Sequence, residues 1–263
     1  EILYTSPYVP PEYISAHGLQ PVRLLPGESK SGSSGVSEGI CHVVRDFRNA
    51  CDRNETAAGV VYATACDQMR RGPELKQNTP EKEIFLLQVP STWQNANSFR
   101  MYVSELERLG RFLSRVGGTA PSRKKLAEEM GRWDAERMRL KGLDGKLSPG
   151  EYAAVAACFH RTGEIRVSPE LPHHQPGGIP VCLVGGPVAE KHLRLFDVVE
   201  KSGGYIVLDG TETGERTLPR PFNRRRMRQE PLIELTDAYG GSIPAVFHRP
   251  NNKLYQWFRK EIK

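Results

Sequence analysis

An α/β protein with parallel, doubly wound sheets is the fold class this chain predicts. Strand-like and helix-like stretches alternate through residues 1–116, and a complete strand–helix–strand unit with short loops recurs over 180–209. A charged, helix-prone stretch separates the two. The expected division is a first α/β lobe over 1–120, a helical connector over 121–168 and a second α/β lobe over 169–263, with the lobe boundary in the Pro- and Gly-rich stretch 169–178.

Each element has its own signal. Pro11 suits a helical first turn, so residues 8–14 read as an extended segment running into a short helix. Gly18 stops it, and 19–25 forms a strand. The Gly- and Ser-rich stretch 27–39 is a mobile loop from which a helix emerges over about 36–51. The β-branched run 59–64 is a buried strand, followed by a short helix after Cys66 and a third strand over 84–89. Tyr102, Val103, Leu106, Leu109, Phe112, Leu113 and Val116 recur at three-and-four spacing, an amphipathic helix over 99–116 that covers a sheet. Ser122 caps a charged helix to Leu140, and Ser148-Pro149-Gly150-Glu151 opens another to His160. In the second lobe, strand 180–184, helix 188–201 and strand 205–209 follow, then a strand over 244–247 and a helix from Asn251. A lobe that stops at a new helix directly after its third strand reads as unfinished. A third lobe is therefore expected beyond Lys263, and a start at Glu1 points to a segment of a longer polypeptide.

The composition, 38% hydrophobic and 26% charged, is that of a soluble globular protein, and no run approaches the eighteen or so apolar residues of a membrane helix. Five widely spaced cysteines, Cys41, Cys51, Cys66, Cys158 and Cys182, make a poor disulfide framework. They fit a reducing compartment, so a cytoplasmic protein is expected. The net charge of +6 is modest, and its concentration at Arg220, Arg224, Arg225, Arg226 and Arg228 reads as a solvated loop or a contact for coenzyme phosphates. With no interleaved aromatics beyond Phe222 and no zinc-finger spacing, nucleic acid is not an expected partner.

Two cysteines stand where chemistry is placed. Cys66 follows a strand directly, and in open parallel sheets ligands bind beyond the strands' carboxyl ends. Cys41 stands near a helix start, where exposed amides favour a thiolate or an anionic cluster. A small buried hydrophobe is the competing reading of either thiol. Gly185-Gly186-Pro187 has the make-up of a tight turn or a weak phosphate cradle, since the three-glycine dinucleotide fingerprint is absent.

Ser6-Pro7-Tyr8-Val9-Pro10-Pro11-Glu12-Tyr13-Ile14, with Gly18-Leu19 and Pro21-Val22-Arg23-Leu24, resembles the opening motif of the 2-hydroxyacyl-CoA dehydratase and benzoyl-CoA reductase family. Cys41 within Ile-Cys-His-Val-Val-Arg-Asp-Phe resembles it too, as do Cys66 within Thr-Ala-Cys-Asp-Gln-Met-Arg-Arg, Leu183-Val184-Gly185-Gly186-Pro187, Gly203-Gly204-Tyr205, Thr213-Gly214-Glu215-Arg216 and His248-Arg249-Pro250-Asn251-Asn252. The matches stand in order along nearly the whole chain.

The resemblance implies flavodoxin-like lobes around a [4Fe–4S] cluster held by three cysteines, with one iron open. It implies a second subunit, an ATP-dependent activator that injects one electron, and an acyl-CoA substrate reduced to a ketyl radical before water leaves. Cys41 and Cys66 carry over as cluster ligands, and Glu12 as a proton-shuttling base or a dipole-favoured helix-start carboxylate. The third cluster cysteine falls in a lobe beyond Lys263. Glu212 stands where many relatives place cysteine, as an oxygen ligand, a hydrogen-bond acceptor or a loop residue. Cys51 lies ten residues beyond Cys41, about 15 Å along a helix, too far to share a cluster with it. Two other readings stay open: an electron-transfer subunit like that of benzoyl-CoA or small-molecule reductases, and a non-catalytic paralogue.

Overall fold

The computed structural model describes residues 1–27, 39–74, 82–93, 95–167 and 177–262. Most of the expected 27–39 loop and of the 169–178 boundary lies outside these residues. The main sheet has four strands, β1 (Ile2–Tyr4), β2 (Pro21–Arg23), β3 (Gly59–Ala63) and β4 (Glu83–Leu87), all parallel in the order β2-β1-β3-β4. The period-two alternation of a strand divides their side chains between two cores. Ile2, Tyr4, Val61, Ala63, Phe85 and Leu87 face α1 (Pro11–Ala16) and α4 (Ala96–Arg115). Leu3, Val60 and Tyr62 face α2 (His42–Arg53), which contributes Val44, Phe47 and Cys51. Helices on both faces explain why β3 is buried throughout.

The amphipathic helix α4 begins three residues before the expected start at 99, because the Asn95 side chain accepts the Ser98 N–H at 2.9 Å and caps it there. Ser122 caps α5 (Arg123–Lys141), and Ser148 with Glu151 forms a capping box on α6 (Pro149–Thr162). α5 packs on α1, with Leu126 and Met130 in the core above the sheet. Phe222, Leu235, Ala238, Tyr239, Ile243 and Ala245 enter that same core from much later in the chain.

The second sheet has two parallel strands, β5 (Ile179–Val184) and β6 (Gly204–Gly210), joined by α7 (Arg194–Lys201) and cored by Phe196, Ile206 and Ala153. α7 starts six residues later than expected. Val188 N–H donates to Thr213 Oγ1 at 3.0 Å and Glu190 N–H to Pro26 O at 3.2 Å, which holds the first residues of that stretch in a loop.

Two expectations are corrected. Residues 244–247 form no strand: Pro244 has no N–H for a ladder, its carbonyl accepts from Arg216, and Ala245 turns into the first core instead. Four of the five arginines of the basic run lie not in a loop but in α8 (Arg224–Gln229), capped by Asn223, whose side chain accepts from the Arg225 and Arg226 amides at 3.1 Å, while Arg220 precedes the helix. α3 (Asp67–Arg70), α9 (Pro231–Thr236), a π-helical turn (Asp237–Ser242) and α10 (Asn252–Glu261) complete the elements. Among the described residues no helix is long and apolar enough to cross a membrane.

Candidate functional site

In the main sheet the chain leads from β1 through α1 to β2 on one side, then crosses through α2 to β3 on the other. This reversal between β1 and β3 opens a crevice at the strands' carboxyl ends. A cavity of about 370 Å³ occupies it. Its wall takes Tyr8 from the loop after β1, Arg23 from the end of β2, Cys41 and Val44 from the start of α2, and Ala65, Cys66 and Met69 from beyond β3. Glu212, Thr213 and Arg216 come from the loop after β6, and Ile243, Ala245 and Phe247 from the segment that returns to the first core.

Both expected thiols therefore line one space. Thr64 N–H donates to Leu87 O at 3.0 Å, one register step past the end of β3, and the Thr64 hydroxyl accepts the Val89 N–H at 2.8 Å. The chain then turns away from the sheet and delivers an exposed Cys66 at the N-cap of α3. Cys41 is the extended N-cap of α2, and its N–H donates to Gln68 Oε1 at 3.4 Å, which ties the two cysteine-bearing turns together.

Two buried guanidinium groups set the electrostatics. Arg23, 5% exposed, donates from Nε to Thr5 O at 3.0 Å, from Nη1 to His160 Nδ1 at 2.9 Å and from Nη2 to Glu212 O at 3.4 Å. Arg216, also 5% exposed, donates to the carbonyls of Gly210, Pro244 and Gly185 at 2.9, 2.9 and 3.3 Å. Neither has an ion-pair partner within 4 Å among the described residues. Burial pulls both pKa values below the usual arginine range, with Glu212 opposing the shift at each. The His160 imidazole is driven well below its ordinary pKa by burial and then by the Arg23 charge, so it is neutral and accepts at Nδ1.

The remaining expected residues sit elsewhere. Cys51 belongs to the core between sheet and α2, where burial pushes its thiol up to about 12, as suits an inert structural cysteine. Cys158 lies on α6 with its sulfur 3.9 Å from Thr162 Oγ1, and Cys182 lies in β5; neither lines the cavity. Among the described residues no three His, Cys, Asp or Glu side chains form a metal-holding group. Glu12 is fully buried and does not line the cavity. It is ion-paired with Arg137 of α5, and both of its oxygens accept from Tyr239 Oη, at 3.0 and 2.8 Å. Of the basic run, Arg220 pairs with Glu234 at 2.6 Å and Asp237 at 2.7 Å, and Arg226 with Asp237 at 3.1 Å. None of its arginines lines the cavity. Gly185 and Gly186 offer their carbonyls to Arg216 and to the Glu212 N–H, the work of a tight turn.

A family model described as 2-hydroxyglutaryl-CoA dehydratase, D-component, matches residues 7–263. The chain belongs to this family. Comparison with curated proteins gives no match. Membership makes the chain a component of a 2-hydroxyacyl-CoA dehydratase-type system, a family with lyase-type activity in a complex that is generally associated with iron–sulfur clusters. D-components work with a partner component and an activator.

Tyr8, Arg23 and Arg216 were each inside a recognisable motif, yet sequence reasoning assigned them no role. A buried arginine is indistinguishable from an exposed one until the carbonyls that hold it are known.

Proposed function

We propose that this chain is the iron–sulfur component of a 2-hydroxyacyl-CoA dehydratase-type system, with Cys41 and Cys66 as thiolate ligands of a [4Fe–4S] cluster. The observation that carries the reading is that two cysteines twenty-five residues apart line one cavity at the switch point of a parallel sheet, with two buried guanidinium groups in its wall that have no ion-pair partner among the described residues. The fit is to two of three protein thiolates. The third comes from outside the residues that line the cavity here, from a partner component or a further lobe. In this reading the four-stranded sheet and the β5–β6 unit are flavodoxin-like lobes over 1–120 and 169–263, joined by a connector over 121–168.

When bound, such a cluster, held by Cys41 and Cys66, would supply the acyl-CoA carbonyl with one low-potential electron received from an ATP-dependent activator, the chemistry that loss of the 2-hydroxyl requires. The chain's own residues would do the rest. Val44, Met69, Ile243 and Phe247 exclude water around the acyl group, and the Arg23 and Arg216 charges favour the anionic state. Glu12 is kept for the frame in this reading, because its ion pair and its two Tyr239 contacts occupy it.

A non-catalytic paralogue is the second reading, supported by the absence of a three-donor group among the described residues. Anaerobic purification of the chain co-expressed with its partner component, followed by iron and acid-labile sulfide analysis, separates the two. About four irons and four sulfides per cavity is the expected result, and an iron-free complex would leave the paralogue reading.

A further inference from the structure

One polar atom in the wall of the cavity is buried and has no partner among the described residues. The Tyr8 side chain is 2% exposed, yet its hydroxyl makes no hydrogen bond among the described residues. A phenol taken out of water without a partner is costly, and native structures leave few such groups. This one cannot swing to a partner elsewhere. Its ring stands edge-on to Phe247 at 5.3 Å and to His248 at 5.6 Å, and its own backbone is held by the Tyr102 hydroxyl on the Tyr8 carbonyl and by the Ser6 side chain on the Tyr8 amide.

The groups around it select what fits. Arg216 and Glu212 are the charged residues whose field reaches the hydroxyl, and Arg23 lines the same space. The Glu212 carboxylate accepts nothing from Tyr8. What would satisfy the phenol is an acceptor oxygen from a ligand, and the buried guanidinium charges favour one that carries or gathers negative charge. The apolar wall of Val44, Met69, Ile243 and Phe247 suits the carbon chain attached to that oxygen.

We propose that Tyr8 is a substrate-binding residue whose hydroxyl donates a hydrogen bond to the carbonyl oxygen of an acyl thioester in this cavity. The Arg23 and Arg216 charges then stabilise the negative charge that oxygen acquires. The inference rests on the cavity being the acyl site, and it adds to the cluster reading a contact that needs no metal.

The test uses the full chain co-expressed with its partner component, without activator or ATP, so that nothing turns over. Butyryl-CoA labelled with ¹³C at the thioester carbonyl is the probe. Its dissociation constant and its isotope-edited infrared carbonyl stretch are measured for wild type, Tyr8→Phe, and protein carrying 3-fluorotyrosine at position 8. Tyr8→Phe keeps the ring and its packing, so iron content stays unchanged while binding weakens about 3- to 10-fold and the stretch moves up toward that of the free thioester. The fluorinated phenol is a stronger donor and moves the stretch down. An unchanged stretch in both substituted proteins, or a wild type that does not bind the probe, overturns the inference. A wild-type complex without iron overturns the cluster reading alone, because the same infrared comparison on the iron-free protein still decides for or against Tyr8.

Discussion

Glu12→Gln tests whether the acidic residue of the opening motif holds the frame or carries the chemistry. The substitution keeps the shape of the side chain and an acceptor for the Tyr239 hydroxyl, and removes only the charge. Arg137 is 3% exposed, lies with its guanidinium 4.9 Å from the Phe222 ring, and has one other acidic contact, Asp134 at 3.4 Å. Burial opposes its charge, and Glu12 together with Tyr239 overcomes that and holds it protonated. Without Glu12 the guanidinium becomes a buried charge with a weak counter-ion. Breaking one side of such a pair costs about 3–5 kcal/mol. At roughly 2–4 °C per kcal/mol for a chain of this size, the melting temperature falls by about 6–20 °C.

The assay is thermal unfolding followed by tryptophan fluorescence, since Trp133 lies one turn before Arg137 on α5. The double substitution Glu12→Gln with Arg137→Met removes both charges and should recover at least about 2 kcal/mol of the loss. A melting temperature for Glu12→Gln within about 2 °C of wild type, or a double variant no better than the single one, refutes the clamp. A residue acting only as a base would give the opposite pattern, with stability intact and activity gone.

Cys41→Ser and Cys66→Ser should each lower the iron bound by the anaerobically purified complex by about half or more, while Cys51→Ala leaves it unchanged; equal iron in all three would remove both thiols from the proposed ligand set. Gly163→Ala should destabilise the fold by about 1–3 kcal/mol, measured by urea unfolding, because Gly163 has φ +72° and an added Cβ would come within 2.3 Å of the Trp133 ring; an unaffected midpoint would show that α6 ends differently. Stability should also fall on acidification. His248 is held down at about 4 by burial and then by the Lys253 charge, and it accepts at Nε2 from the Trp93 indole. A depressed histidine contributes stability that is complete above its ordinary value near 6.5 and is lost as pH falls toward 4, up to about 3 kcal/mol for His248. His17 and His160 are lowered as well and act with the same sign. Unfolding free energies that stay flat from pH 7 to 4.5 would contradict this.

Much of the fold was legible because local chemistry and tertiary packing agree. The Ser122 and Ser148 caps, the α4 stripe and the β-branched β3 each specify one structure at short range. Cys41 at a helix start and Cys66 after a strand were legible for the same reason. What failed was non-local. Residues 244–247 have a strand's composition, but Arg216 and the first core compete for them and win. Likewise the arginine-rich run looked like a solvated loop because its partners, Glu234 and Asp237, lie a full helix further on. The contact between Glu12 and Arg137, 125 residues away and buried against it, is equally invisible in the opening motif.

The same limit explains why Glu212 matters more in space than in sequence. The structure puts it on the wall of the cavity that Cys41 and Cys66 line. There it is the acidic group whose field meets both buried guanidinium groups. A carboxyl at such a point differs from a thiol in hardness: oxygen suits hard cations and hydrogen-bond donors, sulfur suits iron–sulfur centres. Glu212 thus belongs to the wall of the cavity and not to a remote surface loop. The cavity wall carries this carboxyl side chain together with two buried guanidinium groups, and the third thiolate of the proposed cluster is a separate requirement, on groups outside the described lining.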